Sequence, residues 1–373
     1  MRGGPGQVLA GRYRLTDRPE LLRALAVDER TGEAVQLRAV ELPALLTAGQ
    51  DPDEPNPGHG DRLVRRVATV GSAAPAWHPR LLRGVGAFVE GELLWTVEER
   101  PAGWTLADQL AGGPLPPYRA AELAADLAGA LRALHEAGLS HGNLTAESVL
   151  VCEDGAAMLG GLLDGVAQEA LAEDLGGPGG RRRYEVRATL VGAVAERWPL
   201  DGGPAGDCWA LGVLLQRMVT GRAPFPEGGV PELVTAVRDG RREPAALCGP
   251  LAPLAERLLQ PDPGLRPTAQ TVRAELAALL AGAPEPADGE RAARELELKP
   301  EAPLVPLRPR RRGRGGGAAR VVPEGGADRV TPEGGADGGR TSRIPPALLG
   351  PLLVGGVFAL LVVGMVAVVL FAG

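Results

Sequence analysis

Apolar and polar residues alternate in short runs over the first hundred positions. "RYRLTD" (12–17), "LLRALAVDE" (21–29) and "GEAVQLRAVEL" (32–42) each carry the two-residue period of a half-buried strand, with a turn signal at Arg30-Thr31-Gly32. "HPRLLRGVGAFVEGELLWTVEE" (78–99) reads as two strands joined at Glu90-Gly91. From about residue 117 the period changes. "YRAAELAADLAGALRALHEAG" has apolar residues near 3.6 apart and stops at Gly138. "CWALGVLLQRMVTG" is apolar nearly all round, which predicts a buried helix ending at Gly221. The implied fold class is α+β and bilobal: a small β-rich lobe over about 10–100, then a larger helical lobe over about 101–281.

Beyond about residue 282 the periodicity ends and Pro, Gly, Arg and acidic residues take over. An imperfect repeat, "VPEGGADRV" then "TPEGGADGG", lies in this stretch. Such a composition cannot bury enough apolar surface to offset ordering, so 282–344 is expected to be a disordered tether. Its root-mean-square span would be roughly 40 Å. The chain then becomes uniformly apolar. From Ala347 to Phe371 there is no charged side chain, and about 20 apolar residues suffice to cross a bilayer as helix. A single transmembrane helix is therefore expected over 345–372. Arg340 and Arg343 precede it and no charge follows, so the positive-inside rule puts the bulk of the chain in the cytoplasm, with almost nothing outside. The cluster Arg308, Arg310, Arg311, Arg312 and Arg314 lies farther back and suits anionic lipid; an RNA-binding arginine–glycine tail is the rival reading.

Composition narrows the picture further. Hydrophobic residues make up 45% of the chain but aromatic ones only 3%, so the core must rest on Leu, Val and Ala. A net charge of −6 gives no general attraction to nucleic acid. Cys152, Cys208 and Cys248 show no paired or metal-ligand spacing and read as apolar residues of a reducing compartment. The first residues contain no long apolar run, so no signal peptide is expected. Lys299, in the tether, is the one lysine; every other side-chain cation except the histidines is arginine.

Several segments, in order, resemble the eukaryotic-like (Hanks-type) serine/threonine protein kinases of bacteria. "LHEAGLSHGNLTAESVLV" resembles the helix and catalytic loop, and "ATLVGAVAE" (188–196) keeps the Thr (Thr189) and Glu (Glu196) of the segment after the activation loop. "GDCWALGVLLQRMVTGRAPF" resembles the buried central helix, and "LLQPDPGLRPTAQTV" the closing Arg-Pro motif. The likeness covers about 10–281. It implies structural roles for Asp207, capping the catalytic-loop backbone, for His141, packing within the loop, and for Glu196 paired with Arg266.

The same resemblance implies a catalytic set, which the sequence lacks. Phosphoryl transfer is mostly positioning and charge neutralisation. The phosphate-binding loop should lie between Leu15 and Thr31, but "LTDRPELLRALAVDERT" has no glycine. The strand lysine's slot holds Arg38, and no acidic residue lies between Asp61 and Glu90 to partner it. Asn143 stands where the catalytic aspartate belongs, Thr145 replaces the loop lysine, and Ser148 replaces a metal-binding asparagine. An amide cannot take up a hydroxyl proton at neutral pH. The metal-binding aspartate's position falls at Gly161, with Asp164-Gly165 three residues on as a rescue if the loop is shifted. "GGPGGRRRYE" (176–185) reads as a mobile basic loop suited to an acidic or phosphorylated partner.

These losses imply a pseudokinase: a membrane-tethered scaffold or allosteric partner for a protein, such as an active kinase or a membrane complex. No metal and no cofactor are expected; Arg38 is the one candidate contact for ATP bound without metal. A ligand-binding sensor and a divergent active kinase are the alternative classes.

Overall fold

The computed structural model describes residues 4–17, 22–42, 58–74, 78–177, 180–198, 200 and 202–283. The expected tether from 284 onward and the expected membrane helix lie outside them, and among the described residues no helix is long and apolar enough to cross a membrane.

The first lobe is one antiparallel sheet. Its strands are β1 (Val8–Leu9), β2 (Tyr13–Leu15), β3 (Arg23–Asp28), β4 (Ala34–Glu41), β5 (Gly84–Glu90) and β6 (Leu93–Glu99), in the order β1-β2-β3-β4-β6-β5. Alternation drives it: on β3, Ala24, Ala26 and Asp28 point inward while Leu25 faces out. Leu9, Leu15, Leu37, Trp95 and Val97 form its inner core, and Phe88 stacks between Tyr13 and Trp95. The β3–β4 turn closes through Gly32, at φ 78°, where a side chain would be strained.

One helix, α1 (His59–Ala73), interrupts this lobe where a continuous β-rich pattern was expected. Its apolar stripe is narrow, with Leu63 and Val67 buried four residues apart among Arg62, Arg65 and Arg66. Few anchors suffice because both press against the sheet and a C-lobe helix described below.

The second lobe begins with β7 (Gly103–Thr105) and α2 (Leu106–Ala111), which starts from a capping box between Thr105 and Asp108. Then follow α3 (Pro117–Glu136), β8 (Val149–Cys152), β9 (Ala157–Leu159), α4 (Leu162–Gly176), α5 (Arg181–Val191), α6 (Gly203–Thr220), α7 (Val230–Arg238), α8 (Ala252–Leu258) and α9 (Ala269–Ala281). α6 is the buried helix that the sequence predicts, and it ends at Gly221 in the left-handed conformation. α3, α6, α8 and α9 share one leucine- and alanine-rich core, in line with the scarcity of aromatic residues. Cys208 and Cys248 are buried free thiols and Cys152 is partly buried; burial pushes the Cys208 and Cys248 thiols up to about 12 and about 11.

The basic stretch 176–185 is not all loop, as the sequence suggested. Arg181 opens α5, and Arg183 is tied to Glu169 and Glu173 on α4. Of the three arginines read from sequence as a mobile basic loop, Arg183 is taken up by α4, while Arg181 pairs with Glu185 in its own helix and Arg182 is exposed.

Candidate functional site

The segment between α3 and β8 is held from below by Asp207 of α6. Its carboxylate accepts the backbone N–H groups of His141 and Gly142, each at 2.8 Å, and lies 2.9 Å from His135 Nε2. Asp207 is buried, so these contacts satisfy a charge taken out of water. His141 is also buried: burial pulls its ring down to about 4, so it is neutral near pH 7. The Asn143 N–H faces His141 Nδ1 at 3.2 Å, which leaves Nε2 to donate to the Gly160 carbonyl at 3.0 Å. The ring braces the loop and has no free nitrogen for proton transfer.

The other loop positions are also closed on themselves. Ser148 Oγ donates to the Thr145 carbonyl at 3.0 Å and accepts from the Thr145 N–H at 2.9 Å. Asn143 Nδ2 donates to the Gly161 carbonyl at 3.3 Å and to Asp164 Oδ2 at 3.0 Å. Structure therefore brings Asp164, the candidate rescue residue, beside Asn143. Asp164 sits in the first turn of α4, buried, and burial pushes its carboxyl upward against the pull of Arg38 and Arg197.

Why a helix begins here is a local matter. Gly161 takes φ 79° and turns the chain directly from β9 into α4. Gly165 lets that helix approach the loop: a Cβ there would meet the His141 carbonyl oxygen at 2.5 Å. Leu163, Ala167, Ala170 and Leu171 of α4 then pack on Val40, Leu42 and Leu94 of the sheet and on Leu63 and Val67 of α1. A helix thus fills the space between the lobes beneath β4 and β6.

Arg38 meets this arrangement from above. In the β4–β6 register Arg38 faces Thr96, and Glu98 lies two residues farther along the same face. Arg38 Nε is 3.4 Å from Glu98 Oε1, and Arg38 Nη2 donates to the Glu147 carbonyl at 2.8 Å. Glu98 Oε2 in turn accepts the Gly161 N–H at 2.6 Å. A second cross-lobe tie joins Arg23 to the Glu147 carboxylate. Sequence reasoning missed Glu98, because its partnership depends on strand register rather than on spacing. The cavity left at the cleft mouth is about 150 Å³ and is lined by Arg23, Gln36, Arg100, Thr105 and Asp108. Burial lowers the pKa of Arg100, and Arg23 and Arg38 reinforce the effect.

One expectation needs revision. Glu196 does not pair with Arg266: it receives Arg217 Nε at 2.9 Å. Arg266 instead donates to the carbonyls of Gln260, Ala205 and Pro261 and stacks 4.9 Å over Trp209. Buried Glu196 has its carboxyl raised by burial, with Arg217 opposing. Thr189 lies exposed on α5 and donates to the Glu185 carbonyl within its own helix at 3.0 Å.

Comparison with known proteins agrees with this architecture. A family model described as protein tyrosine and serine/threonine kinase matches residues 70–276, more than half of the chain. Serine/threonine-protein kinase PkaA of Streptomyces coelicolor is 31% identical over 277 residues, covering 73% of this chain and 47% of the relative. Testis-specific serine/threonine-protein kinase 3 of Mus musculus is 30% identical over 191 residues, 49% of this chain and 67% of that protein. Serine/threonine-protein kinase pkn2 of Myxococcus xanthus is 30% identical over 181 residues, 47% of this chain and 20% of its own. The chain thus spans about half the length of its Streptomyces relative. A curled sheet lobe, a helical lobe and a loop capped by an aspartate of the central helix are accounted for together by descent: the chain belongs to the protein kinase family.

Proposed function

We propose that this protein is a membrane-tethered pseudokinase that acts as a scaffold or allosteric partner of another protein, an active kinase or a membrane complex, and does not transfer phosphoryl groups. The observation that carries this reading is the Arg38–Glu98–Gly161 link. A magnesium–triphosphate complex needs a free cation for the phosphates and free carboxylates for the metal. Here Arg38 is held by Glu98 and Glu147, Glu98 is consumed by Arg38 and Gly161, and Asp164 is buried against Asn143. The residues do not fit a magnesium nucleotide. The cavity of about 150 Å³ also falls below the roughly 300–1,000 Å³ usual for ligand pockets. The apolar run 347–371, preceded by Arg340 and Arg343, supports a single membrane anchor with the kinase-like body in the cytoplasm.

The test is a pair of assays on the full chain. Thermal midpoints measured with ATP, with and without magnesium or manganese, are expected not to move. Phosphotransfer to itself or to a generic basic protein is expected to stay at the no-enzyme background. Turnover that disappears in Asp164→Ala would overturn the proposal. That outcome is the second reading, a divergent active kinase. It is favoured by one feature, the placement of Asp164 at 3.0 Å from the residue in the catalytic-base position.

A further inference from the structure

The cavity of about 150 Å³ at the cleft mouth is built by both lobes. Two arginines and two aspartates line it: Asp17 and Arg23 from the first lobe, Arg100 at the junction and Asp108 of α2. Among the described residues, no ion pair joins an arginine of this set to an aspartate. Arg23 is turned to Glu147, and Arg100 Nη2 donates to the Gly103 carbonyl at 3.2 Å. Asp17 Oδ1 accepts the Leu25 N–H at 3.1 Å. Asp108 Oδ2 accepts the Thr105 N–H at 3.0 Å and the Thr105 hydroxyl at 2.7 Å. Opposite charges thus line one space without being joined across it.

Depth separates the donors from the acceptors. Strand register sets Gln36 between Leu25 of β3 and Glu98 of β6, on the cleft face that also carries Arg38. Leu25 and Gln36 both line the cavity, and Gln36 is only 3% exposed. Its Nε2 has no hydrogen-bond partner, because Glu98 is taken by Arg38 and Gly161. Most buried donors in folded proteins are satisfied, and one without an acceptor is costly. Arg100 shows the same shortage: burial disfavours its charge, Arg23 and Arg38 add to the effect, and Glu98 and Asp108 oppose it. Arg23 and Arg100 are half-buried, whereas Asp17 and Asp108 are exposed at the rim. A ligand that answers this arrangement carries acceptors at its inner end and a donor at its outer end. The volume is that of about five waters in the liquid, which admits a molecule of about six heavy atoms and excludes a nucleotide.

We propose that this cavity binds a small free α-amino acid as its zwitterion, with the carboxylate on Gln36 and Arg100, the ammonium at Asp17 and Asp108, and a short side chain against Leu25. Guanidinium and amide donors suit a carboxylate, while the exposed aspartates add selectivity more than affinity. Both lobes contribute contacts, so occupancy fastens them and gives the protein a state set by amino-acid concentration. The inference rests on the cavity's own residues and not on the loss of phosphoryl transfer.

Saturation-transfer NMR titrations on the full chain test it with L-alanine, acetate and ethylamine, the last two each carrying one end of the zwitterion. L-alanine is expected to bind, and acetate and ethylamine to bind at least tenfold more weakly. Gln36→Leu removes the unsatisfied donor, so the ligand-free thermal midpoint is expected to hold or rise while L-alanine affinity falls at least tenfold. Asp17→Asn, at an exposed side chain, is expected to weaken L-alanine about threefold. Absence of L-alanine binding to the parent overturns the proposal. So does acetate or ethylamine binding as tightly as L-alanine, or L-alanine affinity unchanged in Gln36→Leu or in Asp17→Asn.

Discussion

Replacing Glu98 tests the closed cleft most directly. The carboxylate is joined to Arg38 at 3.4 Å and to the Gly161 N–H at 2.6 Å, with the Arg38 and Glu98 side chains only 13% and 10% exposed. Removing one member of a buried ion pair typically costs about 3–5 kcal/mol, because the other charge is left without compensation. Arg38 keeps the Glu147 carbonyl, so Glu98→Ala should fall near the low end, at about 3 kcal/mol. Glu98→Gln retains an acceptor for Gly161 and loses only the charge, so about 2 kcal/mol is expected. Arg38→Met strands the carboxylate and should cost about 3 kcal/mol. The informative variant combines Arg38→Met with Glu98→Gln. Both charges are gone and the Gly161 N–H is still satisfied, so the loss should shrink to about 1 kcal/mol rather than add. Equilibrium urea unfolding of the full chain, followed by tryptophan fluorescence and read as midpoint and slope, measures all four. Additive losses in the double variant, or a Glu98→Ala midpoint equal to that of the parent, would refute the coupling and with it the fastened cleft.

Three further outcomes follow from the same geometry. Asp207→Ala strands the buried N–H groups of His141 and Gly142 and should cost about 3–4 kcal/mol, at about 1–3 for each unmet donor; unfolding midpoints check this, with Asp207→Asn milder. Gly165→Ala drives a Cβ against the His141 carbonyl oxygen and should cost about 1–3 kcal/mol as an overpacking change, seen as faster limited proteolysis between α4 and α5. His141 has a folded pKa of about 4 against 6.5 unfolded, so between those values the unfolded chain binds the extra proton and its share of stability falls as pH drops. Above pH 6.5 that share is fully present; by pH 4 about 3 kcal/mol of it is gone. Asp164 and Glu196, raised by burial, act in the opposite direction. The histidine's part is therefore isolated by comparing the urea midpoints of the parent and His141→Asn at pH 7 and pH 4.5, where the gap between them should narrow.

Periodicity carried most of the fold because it reports burial on one face. β3 was visible as alternation because one face is buried, and α6 as an apolar run stopped by Gly221 because it is buried between two core clusters. α1 and α4 were not read from the sequence, for different reasons. α1 separates its buried anchors, Leu63 and Val67, cleanly from its arginines, but this helical period lies inside a stretch otherwise made of strands. α4 is buried on several sides at once, against the sheet, α1 and the catalytic loop, so no stripe exists to detect. The site behaved likewise. Asn143, Ser148 and Arg38 were readable as substitutions in a family pattern, but their partners were not. Glu98 reaches Arg38 through strand register, and Glu196 found Arg217 because Arg266 is occupied by nearby carbonyls and the Trp209 ring.

The residues at the catalytic-loop positions are held in a connected set of contacts, and one pair shows what it depends on. Asp164 is buried with Asn143 Nδ2 at 3.0 Å. An aspartate at position 143 would set two carboxylates at that separation out of contact with water. Like charges so placed cannot both ionise, and one is forced to keep its proton. The amide avoids the conflict by donating to Asp164 and to the Gly161 carbonyl, which fixes the turn into α4. α4 in turn needs Gly165 to seat against the loop, and Glu98 to receive the Gly161 N–H at its start. Restoring an aspartate at 143 alone would therefore set two buried carboxylates against each other and loosen the turn into α4. The Asn143–Asp164 pair, the Gly161 turn and the Glu98 bridge are in this respect one packed unit, in which a change to one member disturbs the others.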